Sequence, residues 1–219
     1  MGGTFDPIHF GHLIAAEEAR LRFQLQRIVF VANGSPPHKK DYEVSSAEAR
    51  YDMVVLATAS NPAFETSRIE VERPGPSYAV DTAAYFREEV GPDALLCFIT
   101  GADAMLELLT WREPERLAEL CEFIAVVRPG YDVRRLADVL GSKLMSRTRV
   151  LQVPGVDISS TELRRRAAAG ETLRYLTPAP VVRYIEANRL YAGERQETAP
   201  GTGRSEDKAR RNTSLRARM

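Results

Sequence analysis

The chain has 219 residues, 44% of them hydrophobic and 27% charged, and its 30 basic residues balance 30 acidic ones. This composition is typical of one globular domain and excludes a strongly basic nucleic-acid-binding protein. No apolar stretch is long enough to span a bilayer, and no signal peptide precedes the first motif. We therefore expect a cytoplasmic protein without nucleic-acid or membrane partners, whose Cys97 and Cys121 are reduced, buried thiols.

Short β-rich runs alternate with longer helical patterns along the chain, which predicts a doubly wound, mostly parallel, Rossmann-like α/β sheet with helices on both faces. The predicted strands are Ile28–Ala32, Phe64–Val71, Ala94–Thr100, Glu122–Arg128 and Arg149–Val153. The predicted helices are Gly11–Leu25, Ser45–Ser60, Ser77–Val90, Glu115–Leu120, Val133–Leu140, Thr161–Ala169 and Pro180–Asn188. Residues 1–193 form the predicted domain, and 194–219, almost without large apolar side chains, are predicted to be a disordered tail.

The start of the chain has the pattern of a turn without its strand. Gly2 and Gly3 resemble the turn that leaves the carboxyl end of a strand in an open α/β sheet, yet only Met1 precedes them. We therefore expect a first strand whose last residue is Met1 and whose earlier residues are missing from this sequence. A missing inner strand leaves buried N–H and C=O groups unpaired, so we also expect lower stability or activity than in a chain extended upstream.

The first candidate site is the opening segment, GGTFDPIHFGHLIAAEEA. Gly2 and Gly3 allow a phosphate to approach the backbone closely, and the following Asp-Pro pair predicts a turn. His9 and His12 are three residues apart where the first helix begins, so their rings share a face beside N–H groups that favour anions. Taken alone, such a pair is more often solvated or metal-binding; the surrounding glycines favour phosphate.

The second candidate is the loop GSPPHKK, which follows the predicted strand Ile28–Ala32. Its prolines stiffen the backbone, and His38, Lys39 and Lys40 make it cationic. Ligands of open α/β sheets bind at the carboxyl ends of the strands, where this loop is expected. A rigid surface turn with solvated lysines is the alternative, but all three histidines of the chain fall in these first two clusters.

The third candidate is the segment ISSTELR, residues 158–164. Ser159 and Glu162 have the spacing of a capping box, which predicts that a helix begins here. The hydroxyl groups, the exposed N–H groups and Arg164 would converge on one anion, and arginine suits phosphate because its donors bind two oxygens at once. By itself the motif would equally fit an ordinary capped helix with a surface arginine.

Together, GGTFDPIHFGH, the PPHK loop and ISSTELR resemble the nucleotidylyltransferase superfamily, and more narrowly the bacterial nicotinate-mononucleotide adenylyltransferase family. The resemblance extends through SYAVDT, ITGADAM, LTWREPERL and LRYLTPAPVVRYIEANRLY, and so covers nearly everything except the tail. It implies that AMP is transferred from ATP to nicotinate mononucleotide, giving deamido-NAD and pyrophosphate in NAD biosynthesis. It also implies Mg²⁺ bound through the ATP phosphates and no metal held by the protein.

The resemblance further implies the roles of individual residues. His9, His12, Lys39 and Arg164 would be catalytic. The residues implied to contact ATP are Gly2, Gly3, Thr4, Phe5, His9, His12, Gly101, Asp103, Ile158, Ser159, Ser160 and Arg164. Those implied to contact the pyridine mononucleotide are His38, Lys39, Tyr78, Thr82 and Trp111, with Trp111 stacked on the pyridine ring. Ala79 stands where the family usually has threonine, so a backbone N–H but not a hydroxyl could contact the carboxylate there.

Other interpretations stay open at this point. A phosphopantetheine-type adenylyltransferase shares HxGH and the serine-rich helix start, but the PPHK loop and the Trp111 segment fit it poorly. A class I aminoacyl-tRNA synthetase leaves ISSTELR unexplained, and the chain lacks room for a tRNA-binding domain. A nucleotide-binding regulator without catalytic activity is the non-enzymatic alternative. The sequence determines neither the choice between nicotinate and nicotinamide mononucleotides nor whether the chain forms a homo-oligomer.

Overall fold

A computed structural model describes residues 1–35 and 44–192. The strands are β1 (Gly2–Gly3), β2 (Ile28–Ala32), β3 (Phe64–Ser67), β4 (Cys97–Gly101), β5 (Glu122–Val127) and β6 (Thr148–Gln152). The helices are α1 (Phe10–Arg22), α2 (Ala47–Thr58), α3 (Ile69–Glu72), α4 (Ala79–Val90), α5 (Ala102–Leu106), α6 (Pro114–Leu120), α7 (Arg134–Met145), α8 (Ser160–Ala168) and α9 (Ala179–Ala187). A single 3₁₀ turn, Leu108–Thr110, follows α5.

The strands form two parallel three-stranded sheets, ordered β1-β2-β3 and β4-β5-β6. The two sheets meet where β1 lies beside β4, because a Cβ added at Gly2 would lie only 3.5 Å from the ring of Phe98. The combined strand order is therefore β3-β2-β1-β4-β5-β6, a doubly wound arrangement. This confirms the predicted Rossmann-like fold class.

Helices cover both faces of the sheet, as the alternation of buried side chains shows. Along β5, Ile124 packs into one core with Phe30 and Leu163, whereas Phe123 points to the opposite face and packs with Leu117 in a second core. Successive side chains of a strand point to opposite faces, so each face needs its own helical layer. The first core is covered by α1, α2, α8 and α9, and the second by α4, α5, α6 and α7.

The largest difference from the predicted bounds concerns one strand. The strand predicted to reach Val71 ends at Ser67, and α3 follows, because the Ser67 hydroxyl accepts a hydrogen bond from the N–H of Ile69 and turns the chain. The helix predicted to end at Leu140 is interrupted there, because Gly141 has a non-helical φ of 66°; a second helical segment of α7 follows and reaches Met145.

The first strand also differs from the prediction. Met1 was expected to be its last residue, but Gly2 and Gly3 themselves pair with Val31 and Ala32. Met1 continues the same ladder, since its α-amino group donates to the carbonyl of Val29 and its carbonyl accepts from the N–H of Val31. Residue 193 and the predicted tail, 194–219, lie outside the described residues.

Candidate active site

The loop between β1 and α1 lies at the carboxyl edge of the sheet and is held by side chains from distant segments. Asp6 is buried, and its carboxylate accepts from the Tyr191 hydroxyl at 2.6 Å and the Ser45 N–H at 3.2 Å. The Thr177 hydroxyl donates to the carbonyl of Ile8 at 2.7 Å. Phe5 has a φ of 51°, a region that non-glycine residues rarely adopt and that is often found at functional sites. The loop is therefore preorganised by its surroundings.

The two histidines come together where α1 begins. Their rings stack at 3.8 Å between centroids, and His9 Nδ1 is buried with no partner among the described residues. Gly11 leaves room for this arrangement, because a Cβ at that position would lie 3.0 Å from the His9 ring and the ring would have to shift slightly. The spacing of three residues thus places both imidazoles on one face, as the sequence predicted.

Burial keeps both imidazoles uncharged near neutral pH. Burial, and secondarily the positive charge of Arg128, lowers the pKa of His9 to about 4. Burial, and then the neighbouring His9, lowers the pKa of His12 well below its usual value. His12 Nδ1 accepts the backbone N–H of His9 at 3.2 Å, so in the neutral ring the hydrogen is assigned to Nε2. His12 can therefore offer Nε2–H as a neutral donor.

The amino end of α8 closes the other side of this loop. Ser159 caps the helix by accepting the N–H of Glu162, as the capping pattern predicted, while the Ser160 hydroxyl donates to the carbonyl of Pro7 at 2.9 Å. Arg164 donates to the carbonyl of Asp6 at 2.8 Å. A pocket of about 200 Å³ results, lined by Thr4, Phe5, Asp6, His12, Ser160, Thr161 and Arg164. Clusters one and three of the sequence thus form one pocket.

Several residues expected to contact ATP occupy different positions relative to this pocket. The ring of Phe5 is buried against His12 and Phe30, and Ile158 is buried in the core, so only their backbones are available to a ligand. Gly101 ends β4 and Asp103 lies in the first turn of α5; both are exposed at the same edge of the sheet. Gly2 and Gly3 form β1 itself, which leads into the loop.

Three of the residues expected to contact the pyridine mononucleotide lie in the described part of the chain: Tyr78, Thr82 and Trp111. Trp111 is half-buried, and its ring meets Phe98 edge to face at 5.7 Å between centroids. Tyr78 is half-buried beneath the guanidinium of Arg112, which lies 4.7 Å from the ring centre. The Thr82 hydroxyl is buried, donating to Glu70 at 2.6 Å and accepting from Arg73. His38 and Lys39, with the rest of the PPHK loop, lie outside the described residues.

Comparison with known proteins identifies the family. Residues 1–166 match the family model described as cytidylyltransferase-like. A "Probable nicotinate-nucleotide adenylyltransferase" of Moorella thermoacetica is 52% identical, with 87% of this chain and 89% of the relative covered. Its counterpart in Streptomyces coelicolor is 49% identical, with 89% of this chain and 100% of the relative covered. The chain belongs to the nicotinate-nucleotide adenylyltransferase family.

Solved structures agree on the fold of this adenylyltransferase family. The nicotinic acid mononucleotide adenylyltransferase of Plasmodium falciparum, solved in complexes with APC and with NaAD, superposes with a TM-score of 0.67. The sequence identity is 17%, and 87% of this chain and 94% of that chain are covered. At this identity the likeness supports the fold alone, and it agrees with the strand order described above.

One positioning residue of this family member was missed by the sequence analysis. Arg50 of α2 is almost fully buried and donates to the carbonyls of Ser45, Thr4 and Gly34 at 2.9–3.0 Å. It joins the loop after β1 to the segment after β2, at the edge where the pocket lies. An arginine amid the apolar side chains of the predicted helix Ser45–Ser60 was the available signal, because arginine is almost never buried unless it is paired.

Over residues 1–35 and 44–192, no three imidazole, thiol or carboxylate groups come together as a metal site would require. Within the same part of the chain, no helix has both the length and the apolarity needed to cross a membrane.

Proposed function

We propose that this chain transfers AMP from MgATP to nicotinate mononucleotide, producing nicotinate adenine dinucleotide and pyrophosphate for NAD biosynthesis. The observation that carries the proposal is the convergence of the loop after β1, His12 and Arg164 on one pocket in a chain of this family. The relatives' names state the same activity. The cytoplasmic location expected from the sequence remains a prediction.

The phosphate side of the site supplies neutral donors and one positive charge. The Nε2–H of His12, the N–H groups at the start of α1 and α8, and the guanidinium of Arg164 line or border the same pocket. Such groups stabilise negative charge that develops on phosphate oxygens without having to reorganise during the reaction. The Ser160 hydroxyl already donates to the carbonyl of Pro7, whereas the Ser159 hydroxyl accepts from Glu162 and keeps its own O–H donor. We therefore assign anion contacts at α8 to its N–H groups, to Ser159 and to Arg164.

The reaction itself needs no covalent enzyme intermediate. The phosphate of the mononucleotide is a nucleophile at neutral pH; one of its oxygens forms a bond to the α-phosphorus of ATP while the bond to the leaving pyrophosphate breaks. Mg²⁺ enters with the nucleotide, bound to phosphate oxygens, where it usually retains several waters. The protein's contribution is then positioning and electrostatic stabilisation. Because the pKa values of His9 and His12 are lowered, these histidines are weak bases and fit a reaction that needs no general base.

The residues expected to contact the pyridine mononucleotide support the binding site for the second substrate. Trp111 offers a half-exposed ring for stacking, held edge-on by Phe98. Thr82 takes a different role from the one implied by the resemblance, because its hydroxyl is committed to Glu70 and Arg73. We assign recognition of the nicotinate carboxylate instead to backbone N–H groups where α4 begins, at Tyr78 and Ala79, with His38 and Lys39 as further candidates.

A dinucleotide-formation assay tests the proposal. MgATP is supplied with either nicotinate mononucleotide or nicotinamide mononucleotide, and the product is measured through a coupled dehydrogenase or by mass. We expect a higher kcat/KM with the nicotinate substrate. If a folded protein forms no product from either substrate, the proposed activity is refuted. A higher kcat/KM with nicotinamide mononucleotide would refute the assignment of a carboxylate-binding site.

A further inference from the structure

The last described part of the chain returns to the loop between β1 and α1. We call residues 173–191, which contain α9, the α9 segment. Its Thr177 hydroxyl donates to the carbonyl of Ile8, and its Tyr191 hydroxyl donates to the carboxylate of Asp6. The α9 segment therefore contacts the loop that carries the histidine pair, from a position about 170 to 185 residues further along the chain.

The hydroxyl of Tyr191 makes a short hydrogen bond in buried surroundings. It lies 2.6 Å from one carboxylate oxygen of Asp6, and the other oxygen accepts the N–H of Ser45. Burial, followed by the charge of Asp6 and the hydrogen bond to it, raises the pKa of Tyr191, so the hydroxyl keeps its proton and is the donor. An O–H donor on a carboxylate at this distance is one of the stronger hydrogen bonds in proteins. Tyr191 and Ser45 together fix both oxygens of Asp6.

The backbone of Asp6 transmits this restraint to the pocket lined by Asp6, His12 and Arg164, which we call the phosphate pocket. The carbonyl of Asp6 accepts a hydrogen bond from the guanidinium of Arg164 at 2.8 Å. Because the backbone has only two soft dihedral angles per residue, a carbonyl turns together with the residue that bears it. The Tyr191–Asp6 bond therefore influences where the Arg164 guanidinium lies.

The chain after α9 has the conformation that this contact requires. Tyr191 has a φ of 62°, in the left-handed region that residues other than glycine rarely adopt. Such a conformation persists only where its surroundings determine it. Here the N–H of Leu190 donates to the carbonyl of Ile185 at 3.0 Å, and both Leu190 and Tyr191 pack against the core. The turn after α9 thus directs the Tyr191 ring back towards the loop.

A second tyrosine of the α9 segment makes the same kind of bond at a different place. The Tyr184 hydroxyl donates to the carboxylate of Asp52, in α2, at 2.9 Å. Tyr184 and Asp52, both in the described part of the chain, lie outside the lining of the phosphate pocket. Each bond attaches the α9 segment to the domain, but the bond of Tyr191 ends on a residue of the pocket. Comparing the two tyrosines therefore separates attachment from positioning.

We propose that Tyr191 is a positioning residue for the adenylyl transfer: by holding Asp6, it places the Arg164 guanidinium where the phosphates of ATP bind. The inference rests on the proposed function, because the position of Arg164 matters only if an anion binds beside it. Without the Tyr191 hydroxyl, the Asp6 carboxylate loses one of its two donors and can turn. The carbonyl that holds Arg164 then moves with it.

The test compares Tyr191→Phe with the matched variant Tyr184→Phe in the full chain, since each removes one hydroxyl and keeps the ring. We expect Tyr191→Phe to lower kcat about 10–100-fold, with KM for the mononucleotide nearly unchanged, because a small misplacement of a binding group is costly. Calorimetry with inorganic pyrophosphate and Mg²⁺ should show binding weakened about tenfold, since a charge-assisted contact is misaligned. Tyr184→Phe should lower Tm alone. All comparisons are made at a temperature at which the variants stay folded.

A double-mutant cycle shows whether Tyr191 acts through Arg164. In a chain that already carries Arg164→Ala, Tyr191→Phe should have little further effect on kcat. An equal loss in both backgrounds, or a kcat of Tyr191→Phe equal to that of the parent, overturns the proposal.

Pyrophosphate binding keeps this inference separate from the proposed function. If the parent forms no dinucleotide, the proposed function fails and the affinity for pyrophosphate decides. A loss in Tyr191→Phe that Tyr184→Phe does not share supports the positioning role. Equal affinity of the parent and both variants overturns it.

Discussion

The two edges of the sheet are stabilised in different ways. At the carboxyl edge, backbone groups of the loop after β1 are satisfied by side chains from distant parts of the chain, among them Arg50, Ser160 and Thr177. At the amino edge, where the strands begin, a cleft of about 560 Å³ lies between Val29 of β2 and Cys97 of β4 and has a mostly apolar lining. We call it the amino-edge cleft. The first edge is thus a preorganised polar site, whereas the second is a separate cleft with a mostly apolar lining. The comparison teaches that side chains from distant segments fix the loop that carries His9 and His12.

The largest effect of a substitution at the carboxyl edge is expected at His12. We predict that His12→Ala lowers kcat by about 10²–10³-fold, because a donor directed at developing charge is lost. His12→Asn is the matched variant: its carbonyl can still accept the N–H of His9 while the Nε2 donor is absent. We expect Asn to retain the stability of the parent but to lose kcat as Ala does. An unchanged kcat in either folded variant would remove His12 from the phosphate site.

The next effect concerns how the carboxyl edge is held. Arg50→Met removes donors from the carbonyls of Ser45, Thr4 and Gly34. Since a buried acceptor left without a partner costs about 1–3 kcal/mol, we expect the free energy of unfolding in urea to fall by about 3 kcal/mol or more. Arg50→Lys, with fewer donors, should be intermediate. A loss below about 1 kcal/mol for Met would show that the loop is held by other contacts.

A smaller effect, at the amino edge, concerns pH. The α-amino group of Met1 has a lowered pKa in the folded protein, so unfolding takes up a proton and stability rises with pH. With values of about 5 folded and 8.0 unfolded, the rise between pH 6.5 and 8 is about 1–2 kcal/mol. The lowered pKa values of His9 and His12 act in the same direction, but below about pH 6.5.

Urea unfolding at several pH values measures this rise in the free energy of unfolding. The other titratable groups near the amine also contribute to the pH dependence. Glu70 has a raised pKa, owing first to burial, so its contribution falls as pH rises and opposes that of Met1. Burial also raises the pKa of Cys97 to about 11 and that of Cys121 to about 12, above the range in question. A chain whose α-amino group is acetylated should lose the rise, because that group no longer titrates. A flat profile for the parent would contradict the burial of its amine.

The smallest effect is expected at Trp111. Trp111→Ala should weaken binding of the pyridine mononucleotide several-fold to about tenfold, since a stacked aromatic contact contributes roughly 0.5–1.5 kcal/mol beyond the area it buries. Binding of ATP should stay nearly unchanged, and Trp111→Phe should recover part of the loss. Calorimetry that finds equal mononucleotide binding by the parent and Trp111→Ala would assign the ring to the core alone, next to Phe98.

The sequence predicted the fold class because the βα alternation is strong. Its assignment of phosphate chemistry to clusters with glycine, histidine and arginine at helix starts stays a prediction. The sequence did not predict the hydrogen-bond partners of individual hydroxyl groups. Thr82 bonds to Glu70, and Ser160 bonds to Pro7, through contacts that form only when distant segments pack. The turn after Ser67 was missed because a local serine contact competes with an otherwise strand-like run. Arg50 was missed because its three carbonyl partners come from separate loops.

Amide hydrogen exchange with and without a non-hydrolysable MgATP analogue tests most directly the claim that the nucleotide binds at the carboxyl edge. We predict slower exchange across Thr4–His12 and across Ile158–Arg164, which border the phosphate pocket. Peptides covering Leu25–Val29 and Leu95–Ile99, which line the amino-edge cleft, should exchange at the same rate in both states. Protection at the amino-edge peptides with no change at the histidine and Arg164 segments would contradict the account.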